Sequence, residues 1–503
     1  MDANTDQVQE PRRFRFPWPS RLRIWHVCLF YLITCCFFGC LILDIDEFLV
    51  IKEPYEILGG DYTVGYLKEG DYRSALSCVG RSYFFYWQYR PLFSPIIPDK
   101  HKTLFAKEEK KFGYQKPDPV REKTLKEYQS RLIVPEPDRL YMHGAGKPLL
   151  PAITTIPALG ITWVAMALAG GSGHDLLHYQ FTRNYHPIFI LVRLTSILAG
   201  LASILLVHYI LRKETNKKTA LIGSWVFAAF PTAMIFFPNL HQDAILVPFV
   251  IAASYYFVKE KYLWSGVWFG LAMASKNTAI LMVPVMLTHV VVEGVLLYRN
   301  NGGFSISEFV KGRLLGFALI AGVGLVVLLP FANPVSEARE ILTPVVSREF
   351  DPRGGDIDKE FSVKAKLAST SQSGYKNTMS PSVYFVQRIA GYNASLIWVL
   401  MALALLIWKA DRPLARYCLY FLILSFPYRI MFGGSLSYRF LMFVPFFAIL
   451  ASMVLNRKQL VLILVLLILI DIVFCIDPIR VSAGMYILGG EETFTEALFR
   501  GFR

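Results

Sequence analysis

Residues 24–43 read IWHVCLFYLITCCFFGCLIL, an apolar run without Asp, Glu, Lys or Arg. A hydrocarbon layer about 30 Å thick is crossed by roughly 20 apolar helical residues, and this run meets that length. The next four residues, Asp44-Ile45-Asp46-Glu47, contain three carboxylates. The stretch therefore predicts a transmembrane helix that leaves the bilayer at an acidic cluster.

Further apolar stretches of this kind follow along the chain. Its 503 residues are 54% hydrophobic and 15% aromatic, more than the core of a soluble domain requires. The surplus predicts contact with lipid, so we expect an all-α integral membrane protein with about 11 transmembrane helices. After the first span, the predicted spans are 188–210, 219–238, 243–258, 263–275, 277–296, 313–332, 393–408, 414–432, 438–455 and 459–476.

The basic residues indicate how the chain is oriented. A net charge of +14 would favour nucleic acid as a partner of a soluble protein, but here the Lys and Arg residues lie in short segments between spans. Such segments face the cytoplasm in membrane proteins. A cytoplasmic N-terminus then places the following basic pairs on one side: Arg12 and Arg13, Arg212 and Lys213, Lys259 and Lys261, Lys311 and Arg313, Lys409 and Arg412, Arg457 and Lys458. We expect no nucleic-acid partner.

One apolar stretch, 149–170, would reverse this alternation if it crossed the membrane. Its prolines at 148, 151 and 157 disfavour a straight spanning helix, so we interpret it as a re-entrant or juxtamembrane helix. The predicted organisation is a cytoplasmic N-terminus (1–23), a first transmembrane helix (24–44), a large extracytoplasmic first loop with juxtamembrane helices (45–187), a transmembrane core (188–332), a second extracytoplasmic loop (333–392), C-terminal transmembrane helices (393–476) and an extracytoplasmic tail (477–503).

The acidic cluster is the densest chemical feature of the first loop. Asp44, Asp46 and Glu47 repel one another at such close spacing, and they can hold a divalent cation such as Mg²⁺ or Mn²⁺. The alternative is that they only mark the end of a helix in water. The residues alone leave both interpretations open.

The residues that follow resemble a known signature. Asp44 to Glu47, Glu53-Pro54, Gly59-Gly60 and Tyr72-Arg73-Ser74 together are similar to the first-loop signature of GT-C membrane glycosyltransferases, closest to the dolichyl-phosphate-mannose-dependent mannosyltransferases. Four later elements resemble the protein mannosyltransferase and aminoarabinose transferase group of that superfamily: Gly146-Lys147-Pro148-Leu149, the run from Arg193-Leu194 to Gly200, Asp243, and Lys276 in Ala274-Ser275-Lys276-Asn277.

The resemblance implies a GT-C fold and an enzyme. Such an enzyme transfers a sugar, here with mannose as the best candidate, from a polyprenyl-phosphate-linked donor to an acceptor hydroxyl with inversion. The acceptor is a glycan, a lipid or a protein, and the reaction occurs at the extracytoplasmic or luminal face. The membrane is then a bacterial inner (plasma) membrane or the endoplasmic reticulum.

Site residues follow from this chemistry. Asp46 is the expected general base, with Asp44 and Glu47 beside it. Lys147, Arg439 and Lys276 are expected to bind the donor phosphate, and Asp243 is the acidic residue of the second loop. Arg439 could instead snorkel to the interface, Lys276 could be a solvated turn residue, and Asp243 could simply cap a helix.

Other interpretations compete with this one. His174 and His178 have a zinc-type spacing but lack the neighbouring Glu of a metalloprotease, so an interfacial loop is favoured. A secondary transporter would also need many spans, yet the internal repeats typical of transporters are not evident. A noncatalytic subunit of a transferase complex would keep the fold but not need the base.

Overall fold

The computed structural model describes residues 23–41, 54, 57–89, 106–112, 149–168, 189–238, 240, 242–300, 306–333, 412–433, 441–454, 458–459, 462 and 465. Every regular element within these ranges is a helix, as the all-α prediction requires. The helices are α1 Ile24–Leu41, α2 Gly60–Lys68, α3 Tyr72–Tyr89, α4 Ala106–Phe112, α5 Leu149–Leu168, α6 Phe189–Val192, α7 Leu194–Glu214, α8 Lys217–Ala228, α9 Pro231–Phe236, α10 Gln242–Val258, α11 Tyr262–Ser275, a 3₁₀ helix Asn277–Leu281, α12 Met282–Asn300, α13 Ile306–Leu328, α14 Pro413–Gly433 and α15 Val444–Val454.

Three stretches in the described residues are long and apolar enough to cross a membrane. They are Leu194–Glu214, Thr278–Arg299 and Phe309–Leu328. Shorter apolar helices cover Ile24–Cys36, Leu149–Thr162, Gln242–Val258, Pro413–Leu424 and Leu441–Val454. The total of 11 spans stays a prediction, because 393–408 and most of 459–476 lie outside the described residues.

Two predicted spans are broken rather than continuous. The stretch 219–238 forms α8 and α9, with Phe230 extended (ψ 129°) and Pro231 at the first position of α9. Proline disfavours helical geometry in the residue before it and is well placed at a helix start, so the chain breaks there. The stretch 277–296 begins as a 3₁₀ helix, after Lys276 adopts an extended conformation.

Small residues allow close packing inside the bundle. A side chain at Gly270 of α11 would collide with the backbone of Gly324 in α13. Gly200 of α7 leaves space for the ring of Tyr31 from α1, whose hydroxyl donates to the carbonyl of Ile197 at 3.0 Å. Short contacts of this kind are the usual source of attraction between helices in lipid.

Charged residues meet at one end of the bundle, which we call the basic end. Lys259 Nζ lies 2.5 Å from Glu214 Oε1, and Arg313 Nη2 lies 2.5 Å from Glu260 Oε1. Arg412 donates to the carbonyl of Glu214. Segments that charge counting assigns to the cytoplasmic side are therefore neighbours here.

A further ion pair joins α12 and α14. Arg416 donates twice to the Glu293 carboxylate, through Nε at 2.8 Å and Nη2 at 2.9 Å. Two parallel bonds of this kind give a fixed geometry as well as attraction. The pair lies roughly 16 Å along α12 from its first residue, at 1.5 Å per residue.

The opposite end, where α7 and α10 begin and α13 ends, is called the loop end. Trp87 Nε1 of α3 donates to the carbonyl of Leu329 at 2.7 Å, and the Tyr83 hydroxyl donates to the carbonyl of Pro330. Thr195, at the start of α7, donates to the carbonyl of Thr154 in α5 at 3.1 Å. Helices of the predicted first loop are thus attached to the bundle at this end.

A buried polar cluster holds α4 against α2 and α3. Glu108 of α4 is 1% exposed, and Arg81 Nη2 of α3 donates to it at 2.5 Å. The Tyr66 hydroxyl of α2 donates to the same carboxylate at 3.4 Å. Burial is the largest single influence on Glu108 and opposes its charged form, but the hydrogen bonds from Arg81, the backbone and Cys78, together with the charge of Arg81, outweigh burial and keep the pKa of Glu108 below its ordinary value.

The lowered pKa predicts that acid releases α4. The charged Glu108 stabilises the folded cluster above its ordinary pKa of 4.5, and this contribution is lost as the pH falls through the lower pKa of the folded state. The protection factors of the α4 amides, which are corrected for the intrinsic pH dependence of exchange, should therefore fall as the pH drops below 4.5. In Glu108→Gln these protection factors should be lower at neutral pH and nearly independent of pH. The exposed ion pair of Glu69 with Lys111 provides a control, because Glu69→Gln should change little. Unchanged α4 exchange in Glu108→Gln would contradict this role.

Candidate functional site

The structure brings two of the predicted site residues together at the loop end. Lys276 Nζ forms an ion pair with Asp243 Oδ2, although 33 residues separate them in sequence. The Asp243 side chain has no exposed surface, whereas that of Lys276 is 21% exposed. Lys276 is therefore the accessible member of the pair.

The backbone around Lys276 is held on both sides. Its own N–H donates to the carbonyl of Ala272 at 3.0 Å, and its carbonyl accepts from the N–H of Ala279 at 3.0 Å. The residue is extended (φ −165°, ψ 134°), which ends α11 and turns the chain into the 3₁₀ helix. The lysine is consequently presented from a fixed turn between two helices.

Asp243 lies in the first turn of α10. A carboxylate is favoured there by the partial positive charge of the helix N-terminus, as the helix-capping alternative assumed. A buried charge also needs a partner of opposite sign, which Lys276 supplies. The partly buried ion pair does not fit the alternative that Lys276 is a solvated turn residue.

The motif from Arg193 to Gly200 forms the beginning of α7. Arg193 is 2% exposed and precedes the helix, and Ser196 is buried. Gly200 accommodates Tyr31, so this motif fixes α1 against α7. The chain that leaves α1 continues into the acidic cluster at 44–47.

The remaining predicted site residues, Asp44, Asp46, Glu47, Lys147 and Arg439, lie outside the described residues. Their roles stay predictions, as does the suggestion that Mg²⁺ or Mn²⁺ binds the acidic cluster. The histidine pair at 174 and 178 also falls outside. Within the described part, His, Cys, Asp and Glu form no group of three or more that could hold a metal ion.

Sequence reasoning did not identify two polar residues beside the ion pair. Gln242 is the first residue of α10 and is buried, and Thr278 follows Lys276 by two positions. A polar residue next to an aspartate at the start of an apolar helix is the signal that could have indicated Gln242. Thr278 resembles any other threonine in the sequence.

The ion pair predicts how stability responds to substitution. Lys276→Met leaves the Asp243 carboxylate buried without this cation, and removing one partner of a buried pair costs about 3 kcal/mol or more. The double variant Asp243→Leu/Lys276→Met removes both charges and should recover most of that loss. Thermal unfolding in detergent measures both. Equal stability of Lys276→Met and the unaltered protein would show that the pair contributes nothing to folding.

Comparison with known proteins gives one family match, over a segment that contains this ion pair. Residues 189–307 match the family model described as dolichyl-phosphate-mannose-protein mannosyltransferase. The matched segment contains Arg193, Gly200, Asp243 and Lys276. No curated protein and no solved structure matches the chain. The match covers 119 of the 503 residues and supports the prediction of a GT-C membrane glycosyltransferase made from the sequence.

Proposed function

We propose that this chain is a GT-C membrane glycosyltransferase that transfers a hexose, with mannose as the best candidate, from a polyprenyl-phosphate-linked donor to an acceptor hydroxyl at the loop end. The observation that carries this proposal is the Asp243–Lys276 pair, which lies inside the matched segment and leaves the lysine partly exposed. An accessible cation at the membrane surface can bind the phosphate of such a donor, because that phosphate stays at the bilayer surface.

The proposed reaction is a single displacement. The acceptor oxygen attacks the anomeric carbon while Asp46 takes its proton, and the bond from that carbon to the phosphate oxygen breaks with its electron pair. The configuration at the anomeric carbon is inverted. The products are the glycosylated acceptor and a polyprenyl phosphate.

The leaving phosphate gains negative charge, which cations stabilise. Lys276, Lys147 and Arg439 are the proposed partners of its oxygens, since charge-assisted hydrogen bonds are shorter and stronger than neutral ones. Asp243 acts through Lys276 and is a positioning residue. Its ion pair sets the direction of the lysine side chain.

Contacts at the loop end support a site shared by both predicted outer loops. Trp87 and Tyr83 belong to the first loop, and they bond to the carbonyls of Leu329 and Pro330, just before the second loop begins at 333. Ile57 and Leu149 pack with Phe331 in one small apolar cluster. Described helices of the first loop therefore contact the residues that immediately precede the second loop, which favours a common active site.

The base assignment predicts a large effect of one substitution. Asp46→Asn keeps the size of the side chain but cannot accept a proton at neutral pH, so turnover should fall at least ~100-fold while donor binding persists. A solvated helix end would change stability by at most about 0.5 kcal/mol and would leave turnover alone. Purified protein with polyprenyl-phosphate-mannose and an acceptor panel provides the assay. Asp44→Asn and Glu47→Gln are the matched neighbours; near-normal transfer by Asp46→Asn removes Asp46 from the mechanism.

The phosphate assignment is tested with two double variants of similar stability. Asp243→Leu/Lys276→Met removes the ion pair at the loop end, and Glu293→Leu/Arg416→Met removes the pair between α12 and α14. We expect the first to lower kcat/KM for the donor by roughly 10- to 100-fold, as loss of a hydrogen bond to a charged group implies. The second should keep near-normal kcat/KM. Equal activity of the two variants would exclude Lys276 as a phosphate ligand.

A further inference from the structure

Two hydrogen-bonding groups, on residues that neighbour the ion pair in sequence, have no partner among the described residues. The Gln242 side chain is only 7% exposed, and its Nε2 is buried without a hydrogen-bond acceptor among the described residues. The Thr278 Oγ1 is buried in the same unsatisfied state. Gln242 precedes Asp243 directly, and Thr278 lies two residues after Lys276, so both residues neighbour the pair along the chain.

Unsatisfied groups of this kind are unfavourable in a folded protein. A buried donor without a partner costs the desolvation of that group, and the great majority of buried polar side-chain atoms are bonded. In the described part, the other neutral side chains with such atoms, Trp225, Trp268, His289 and Ser452, lie on four different helices. Gln242 and Thr278 differ from these in that each lies within two residues of a member of the ion pair.

The chemistry of the two groups indicates what satisfies them. An amide and a hydroxyl can each donate and accept, and so can the hydroxyl groups of a sugar. A phosphate at neutral pH mainly accepts and is better served by cations, of which Lys276 is already present. We propose that Gln242 and Thr278 bind hydroxyl groups of the transferred sugar and thereby select which sugar is used. This inference rests on the proposed transfer from a polyprenyl-phosphate donor.

Specificity follows from the cost of leaving the groups unpaired. A site built to hydrogen-bond a substrate hydroxyl discriminates strongly against an analogue that lacks it, because the buried partner then stays unsatisfied. The protein without donor carries this cost in its folded state. When the sugar binds, its hydroxyl groups would satisfy Gln242 and Thr278 and remove this cost. This assigns the two residues to donor binding rather than to the core.

The decisive variant is Gln242→Met, which keeps length and removes the unsatisfied amide. A structural glutamine without a partner can be replaced in this way without loss of stability, so the melting temperature should stay equal or rise. We expect kcat/KM for polyprenyl-phosphate-mannose to fall by roughly 10- to 100-fold. Thr278→Val removes the hydroxyl at nearly constant volume and should act in the same direction. Gln459→Met, at an exposed glutamine, is the matched control with unchanged activity.

Monodeoxy donors identify the bonded hydroxyl. The 2-, 3-, 4- and 6-deoxymannose derivatives of the polyprenyl phosphate are compared in the unaltered protein and in Gln242→Met. For one of them the effect of the substitution should vanish, because the hydroxyl that Gln242 binds is already missing. An equal loss with all four donors would mean that Gln242 binds another part of the donor, and this would overturn the inference.

Failure of this inference can be separated from failure of the proposed function. If the unaltered protein uses no polyprenyl-phosphate sugar, the proposed function fails. If it uses polyprenyl-phosphate-mannose and Gln242→Met uses it equally well, only the role of Gln242 is refuted.

Discussion

A carboxylate without exposed surface needs a cation in contact with it, and the Asp243–Lys276 pair meets that requirement at the loop end. The pair connects the first turn of α10 to the turn that ends α11. Since α11 packs closely against α13 through Gly270, the position of α13 depends on the same connection. The first-loop helix α3 in turn bonds to the end of α13 through Trp87.

The two ends of the bundle use charge in different ways. At the basic end, ion pairs such as Lys259 with Glu214 lie partly exposed, and they mainly fasten neighbouring segments. At the loop end, the acidic partner is fully buried and the basic partner is 21% exposed. An arrangement that buries the anion and exposes the cation attracts anionic ligands, which suits the phosphate of a lipid-linked sugar.

Interruptions in the helices allow polar residues to lie at the loop end. Helical backbone satisfies its own hydrogen bonds within lipid, so irregular backbone is tolerated where it is buried in protein or lines a cavity. The extended residue Lys276 and the 3₁₀ turn after it form such a place. The helix break at Pro231 precedes α9, and α10 follows with Gln242 and Asp243 in its first turn. Polar side chains are therefore presented where the regular bundle stops.

The sequence by itself determined the helical class and most helix positions. The predicted spans 243–258 and 263–275 agree with Gln242–Val258 and Tyr262–Ser275, because the length and apolar character of a span are imposed by the bilayer. The resemblance at Asp243 and Lys276 also selected the two residues that meet. The acidic cluster at 44–47 stays a prediction of the sequence alone.

Only the tertiary structure decided which side chains face one another. The spacing of Asp243 and Lys276 does not predict that they form an ion pair. The sequence also does not predict that Gln242 Nε2 and Thr278 Oγ1 lack a partner among the described residues. The sequence pattern around a residue predicts its environment along its own helix, because the length of an apolar segment and the residues at its turns are visible in the sequence. Pairing and the absence of pairing arise between helices distant in sequence, and they depend on how those helices pack.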